Sequence, residues 1–195
     1  EKIIDPITKG RAEMTSCALE EVVPKTFVEH VVFTGMQYKK AVFQLYMQGN
    51  HIFNCRGPAR AFSKQLYKRL RFVEEIADDM YSYLYCVQNG YRFVFVGDTR
   101  VVYKLPSTLH DHFIQSIRFF QSCQSAQEKF GKGLFQQYYI IPAHIAFKEV
   151  LQSFLTHPIY MLSYTVMTTG TSIIARLPFM RGARLRWIAA KSSKD

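Results

Sequence analysis

The hydrophobic pattern divides the chain into short runs of two periods. Phe27–Thr34 is β-branched and aromatic and stops at Gly35. Ala41–Met47 repeats that character, Gly49-Asn50 punctuates it, and His51–Cys55 follows. These runs predict an antiparallel meander of three strands. After Gly57-Pro58 the apolar positions Phe62, Leu66, Leu70, Val73, Ala77 and Met80 recur at helical spacing, which predicts an amphipathic helix. Tyr81–Gln88, the Asn89-Gly90 turn signal and Tyr91–Val96 read as a hairpin. Gly97-Asp98 is a second turn and Arg100–Leu105 a third strand. Pro106 and Ser107 then open another helix, with Leu109, Phe113, Ile117 and Phe120 along one face and an end near Gly131.

The organisation expected is therefore α+β. It consists of two antiparallel three-stranded meanders, each followed by an amphipathic helix, and then a C-terminal helical segment able to associate with a membrane. The divisions are an N-terminal arm at 1–25, a body at 26–130 and a hydrophobic segment with a basic tail at 131–195.

That last segment holds the most distinctive pattern. Val150–Ala175 is 26 residues without a formal charge, interrupted by His157-Pro158. Pro158 suits the first turn of a helix. From there to Ala175 a helix would run about 27 Å, close to the roughly 30 Å apolar core of a bilayer. Its many Ser, Thr and Gly residues suit helix–helix contact better than lipid. Arg176, Arg181, Arg184 and Arg186 follow at once, as positive residues do on the non-translocated side of a span. They are the candidate contacts to anionic lipid or to a partner. Over Glu149–Arg186 the chain resembles the first membrane helix of the Oxa-type insertases. The remaining spans of that family are absent, so the likeness implies no function.

Charge sharpens this picture. The formal net charge is +10. From Gly131 onward eight Lys or Arg face only Glu149 and Asp195. An anionic partner is expected, whether lipid, nucleic acid or an acidic subunit. In the stretch read as the first helix, Arg60, Lys64, Lys68 and Arg71 precede Glu74, Glu75, Asp78 and Asp79. That order opposes the helix dipole, so it was not selected for helix stability.

Chemistry is sparse. Cys17, Cys55, Cys86 and Cys123 are widely spaced, which points to free buried thiols and not to a metal knuckle. His110-Asp111-His112 lies on a predicted helix, where residues two apart diverge. Phe130-Gly131-Lys132-Gly133 lacks the spacing and the hydroxyl of a phosphate loop. No catalytic set, metal site or cofactor is expected. Residues 1–25 carry five acids and match neither a transit nor a signal peptide.

Two functions follow as expectations. The first is a non-catalytic accessory or structural subunit of a larger complex, of the respiratory-chain or ATP-synthase type in the mitochondrial inner membrane, whose partners are other protein subunits and anionic lipid. The second is a single-stranded RNA- or DNA-binding protein, including a viral or ribosomal structural protein, cytoplasmic or viral in location. Its candidate contacts are the aromatics Tyr91, Phe93 and Phe95 with Arg92, Arg100 and Lys104. The repeated sheet-then-helix order is similar to the topology of Whirly and PUR-type single-strand binders.

Overall fold

A computed structural model describes residues 2–177. The described residues form a single mixed sheet of three strands in the order β2-β1-β3, with β1 Met14–Glu21, β2 Arg60–Phe62 and β3 Phe93–Tyr103. β2 pairs antiparallel to β1, and β3 pairs parallel to it. Among the described residues eight α-helices accompany the sheet: α1 Asp5–Thr8, α2 Phe27–Leu45, α3 Lys64–Tyr67, α4 Asp78–Gln88, α5 Leu109–Phe130, α6 Lys132–Tyr139, α7 Ala143–Thr156 and α8 Pro158–Ala175. The fold is α+β, but the two antiparallel meanders expected from the sequence are absent among the described residues. With 62% of it helical, most of the expected strand length is helix.

The largest correction is α2, which covers the first expected strand and most of the second. Its start is encoded by a capping box. Thr26 Oγ1 accepts from the Glu29 N–H at 3.2 Å, and the Glu29 carboxylate accepts from the N–H groups of Lys25 (2.7 Å) and Thr26 (2.9 Å). Those bonds, the Lys25 N–H first, hold the Glu29 carboxyl below its usual range. The expected third strand, at 51–55, is a 3-10 turn over Ile52–Asn54.

The helix expected from Phe62 to Met80 is replaced by β2, the single turn α3 and an irregular stretch ahead of α4. The reversed charge order therefore never sits on one helix. Tyr81–Gln88, expected as a strand, belongs to α4. Gly90 has φ +72°, the Tyr91 N–H reaches Cys86 O at 2.9 Å, and the Gly90 N–H reaches Val87 O at 3.2 Å. These are the bonds of a Schellman helix stop. A left-handed glycine serves that stop and a hairpin turn equally well, so Asn-Gly did not discriminate.

Met14–Glu21, inside the segment read as an arm, is the central strand. Its register against β3 jumps from Cys17↔Val96 to Ala18↔Arg100, so Gly97-Asp98-Thr99 bulges out of the ladder where a turn was expected. The two flanking strand runs are one strand, β3. A parallel pair needs a long crossover, and α2, β2, α3 and α4 lie within it.

Two clusters make the core. One gathers Met14, Leu66, Met80, Tyr83, Leu84 and Phe130 with their neighbours around the sheet, α4 and α6. The other joins Val31 of α2 to Met161 and Tyr164 of α8. At Gly35 the two helices approach so closely that a Cβ would lie 2.3 Å from the Tyr164 ring.

α8 spans the residues expected of it, but not a membrane. Among the described residues no helix is long and apolar enough to cross one. The physical reason is its composition: Ser163, Thr165, Thr168, Thr169, Thr171 and Ser172 dilute its apolar residues, and Tyr164 and Thr171 lie buried in protein.

Candidate functional site

A cleft of about 340 Å³ opens between the C-terminal half of β1 and α2. That volume lies at the small end of ligand sites. The β3 bulge forms one margin through Gly97 and Arg100, and the turn after α2 brings Asn54 and Arg56 to the floor. At the base, the buried Glu21 carboxylate accepts from Gln37 Nε2 at 3.2 Å, from Tyr103 Oη at 2.9 Å and from Lys40. Burial, and then the Glu21 charge, push the Tyr103 phenol up, so it remains a donor. On the rim, Arg100 meets Glu20 at 3.5 Å with both side chains exposed, a pair worth little in water.

Arg56 differs from these cations. Its Nε donates to Phe53 O at 3.0 Å, its guanidinium lies 5.7 Å from the centre of the Phe43 ring, and it also interacts with the Tyr103 hydroxyl that is bonded to Glu21. Among the described residues no carboxylate stands within ion-pair distance of it. Burial holds the nearby Lys39 ammonium below its usual range, and the Arg56 charge adds to that effect. Lys39 Nζ instead lies over the Tyr164 ring, 5.2 Å from its centre.

The turn that carries Arg56 is fixed from within. Met47 and Gln48 both adopt positive φ, at 48° and 53°. Non-glycine residues rarely do so, and a cost of about 1–3 kcal/mol attaches to each. His51 holds the turn to α2, its Nε2 2.7 Å from Phe43 O and its Nδ1 accepting the Phe53 N–H at 3.2 Å. The Asn50 side chain accepts the Phe95 N–H at 2.8 Å and so ties the turn to β3.

The residues named for nucleic acid are dispersed. Phe93 is buried edge-on to Tyr83, with ring centres 5.2 Å apart. Phe95 packs over Gly49, where a Cβ would come within 2.7 Å of it. Tyr91 accepts a bond from Arg69 at 3.1 Å. Arg92 is bound to Glu13 and to Gly10 O. Arg100 pairs with Glu20, and the half-buried Lys104 lies near enough to Glu29 to lower its pKa. These side chains do not converge on one exposed face.

Of the four arginines, Arg176 caps α8 and is exposed; Arg181, Arg184 and Arg186 lie outside the described residues. His112 turns inward toward Ser116 while His110 faces solvent. Among the described residues no group of three or more His, Cys, Asp or Glu is placed to hold a metal.

A second feature is a surface. α7 buries none of its residues fully. Phe147, Leu151 and Leu155 line one of its faces at four-residue spacing, exposed by 69%, 48% and 76%. On α8, Leu162, Val166 and Ile173 are exposed by 59–65% at spacings of four and seven. Both spacings keep residues on one side of a helix. Apolar side chains gathered in this way mark interaction surfaces, whereas scattered ones do not. The sequence pattern held this signal, because Val150–Ala175 is too apolar to be covered by α2 alone. The cleft carried none, since its residues come from four distant segments.

The fold and its features define an α+β domain with a small polar cleft and an uncovered apolar helical face. No known protein family, curated protein or solved structure matches the chain. The expectation of a mitochondrial membrane complex therefore gains no support from relatives, and the expected transmembrane helix is absent among the described residues.

Proposed function

We propose that the chain is a non-catalytic subunit that docks onto another protein through α7 and α8. The observation that carries this reading is the two exposed apolar helix faces, Phe147, Leu151 and Leu155 on α7 and Leu162, Val166 and Ile173 on α8. Fully burying one such side chain contributes about 1.5–3 kcal/mol, so leaving the stripe in water is costly unless a partner covers it. The partner's chemistry follows from charge. Exposed Lys148 and Arg176 border the stripe, and two copies of a chain with net charge +10 would repel. An apolar helical surface edged with carboxylates on a different protein is the complement. A single-strand platform is less well supported, because Phe93 is buried and Arg92 and Arg100 are engaged by acids.

The test is native gel electrophoresis and quantitative mass spectrometry of the protein in its source extract. It is expected to migrate in an assembly at fixed stoichiometry with an acidic partner. The double variant Leu155→Glu/Leu162→Glu is expected to leave that assembly as a folded monomer. Native protein that migrates alone, or a double variant that stays bound, overturns the reading.

A further inference from the structure

The cleft lies apart from the docking stripe and has chemistry of its own. Its lining carries three cations, Lys40, Arg56 and Arg100, against two carboxylates, Glu20 and Glu21. Two of the cations are matched to the two acids. The surplus is a single positive charge, and it belongs to Arg56, whose planar fork suits a carboxylate. Around it Gln37, Gln44 and the buried Asn54 add polar groups, and Cys17, Ala18 and Leu19 of β1 complete the lining. Phe33 and Phe95 give only limited apolar surface.

The Arg56 guanidinium is placed, not free to wander. The bond to Phe53 O and the Phe43 ring orient it. The turn bearing it is held by His51 and Asn50 in a conformation that puts Met47 and Gln48 at positive φ. A cation oriented by protein contacts but without a protein counter-ion fits preorganisation for a ligand.

We propose that the β1–α2 cleft binds a small polar monocarboxylate, its anion seated on Arg56 and its hydroxyl or amide groups on the surrounding Gln and Asn side chains. One surplus positive charge in the lining balances a monoanion better than a phosphate dianion. The volume, at the small end of ligand sites, suits a metabolite of about the size of a six-carbon sugar acid.

The experiment is a titration of the isotope-labelled protein, following the Arg56 Nε–H resonance by NMR. Three probes are compared: gluconate, its uncharged analogue glucitol, and inorganic phosphate. Gluconate is expected to shift the Arg56 signal saturably, glucitol to leave it unmoved, and phosphate to bind more weakly than gluconate. Arg56→Gln, followed through the amide signals of Gln37 and Gln44, is expected to weaken gluconate binding by about tenfold or more, the scale of a lost charge-assisted bond. If that variant fails to fold, Arg56→Lys keeps the charge and loses the fork, and a several-fold loss is expected. No saturable shift with gluconate, an equal response to glucitol, tighter phosphate binding, or unchanged affinity in a folded Arg56 variant each overturns the proposal.

Discussion

His51 shows how one side chain can set both a turn and a pH response. It is fully buried. Because Nδ1 accepts the Phe53 N–H, the ring proton must sit on Nε2 and point at Phe43 O. A second proton would have to occupy Nδ1, facing another N–H. Burial holds this imidazole below its usual range, and the nearby Arg56 charge acts in the same direction, although the Phe43 carbonyl opposes them. His112 behaves alike: burial, and then Lys39, bring it down to about 4. In the unfolded chain both titrate near 6.5. Their contribution is complete above that value and is lost as pH falls toward the folded-state value, because the unfolded state takes up protons that the folded state refuses. Urea unfolding is expected to give a stability lower by about 2 kcal/mol at pH 5 than at pH 7.5 from His112 alone, at roughly 1.4 kcal/mol per pH unit, with His51 adding in the same direction. His112→Gln is expected to flatten that slope. A slope unchanged by the substitution would assign it to other groups.

At the scale of elements, the closest contact is Gly35 of α2 beneath Tyr164 of α8. Gly35→Ala ordinarily favours a helix by about 1 kcal/mol. Here the new Cβ would fall 2.3 Å from the ring, and overpacking of that kind costs about 1–3 kcal/mol. Thermal or urea unfolding is expected to show Gly35→Ala as destabilising in the native background and stabilising when Tyr164 is Leu. The change of sign is the diagnostic, and a loss of equal size in both backgrounds would rule the ring contact out as its cause. The same contact explains what could be read from the sequence. α8 was legible from Pro158 to Ala175 because its proline start and uncharged run are local signals. α2 was not, since Val, Phe and Thr at 27–34 favour strand and only packing on α8 and α7 overrides that preference. Its capping box, Thr26 with Glu29, is a local signal that marks where the helix starts. β1 escaped because a central strand buried on both faces shows no alternation: Thr15 and Ser16 are fully buried and bonded to Ile3 O and Asn54 O. The cleft was invisible for a further reason. Arg56, Gln37, Glu21 and Arg100 meet only when the parallel β1–β3 pair forms.

For the molecule as a whole, a cationic surface and an uncovered apolar stripe act against each other. The net charge of +10 keeps copies of the chain apart by repulsion that reaches about 10 Å at 0.1 M salt and about 3 Å at 1 M. The attraction of apolar surface needs no charge and is not screened. Raising salt from low to about 1 M should therefore drive the isolated chain into oligomers through α7 and α8, measurable by light scattering. Leu155→Glu/Leu162→Glu should suppress that association. Both residues are exposed, so the substitutions are expected to move stability by no more than about 0.5 kcal/mol each. Met161 is the control. It neighbours Leu162 in sequence but is 3% exposed and packed in the α2–α8 core, so Met161→Glu places an unpaired charge inside and is expected to unfold the chain. Oligomers that form equally at low salt, or that persist in the double variant, would locate the sticky surface elsewhere. Salt-driven association that the two glutamates abolish, in a chain of unchanged stability, would show that the stripe is built to be covered and not to hold the fold together.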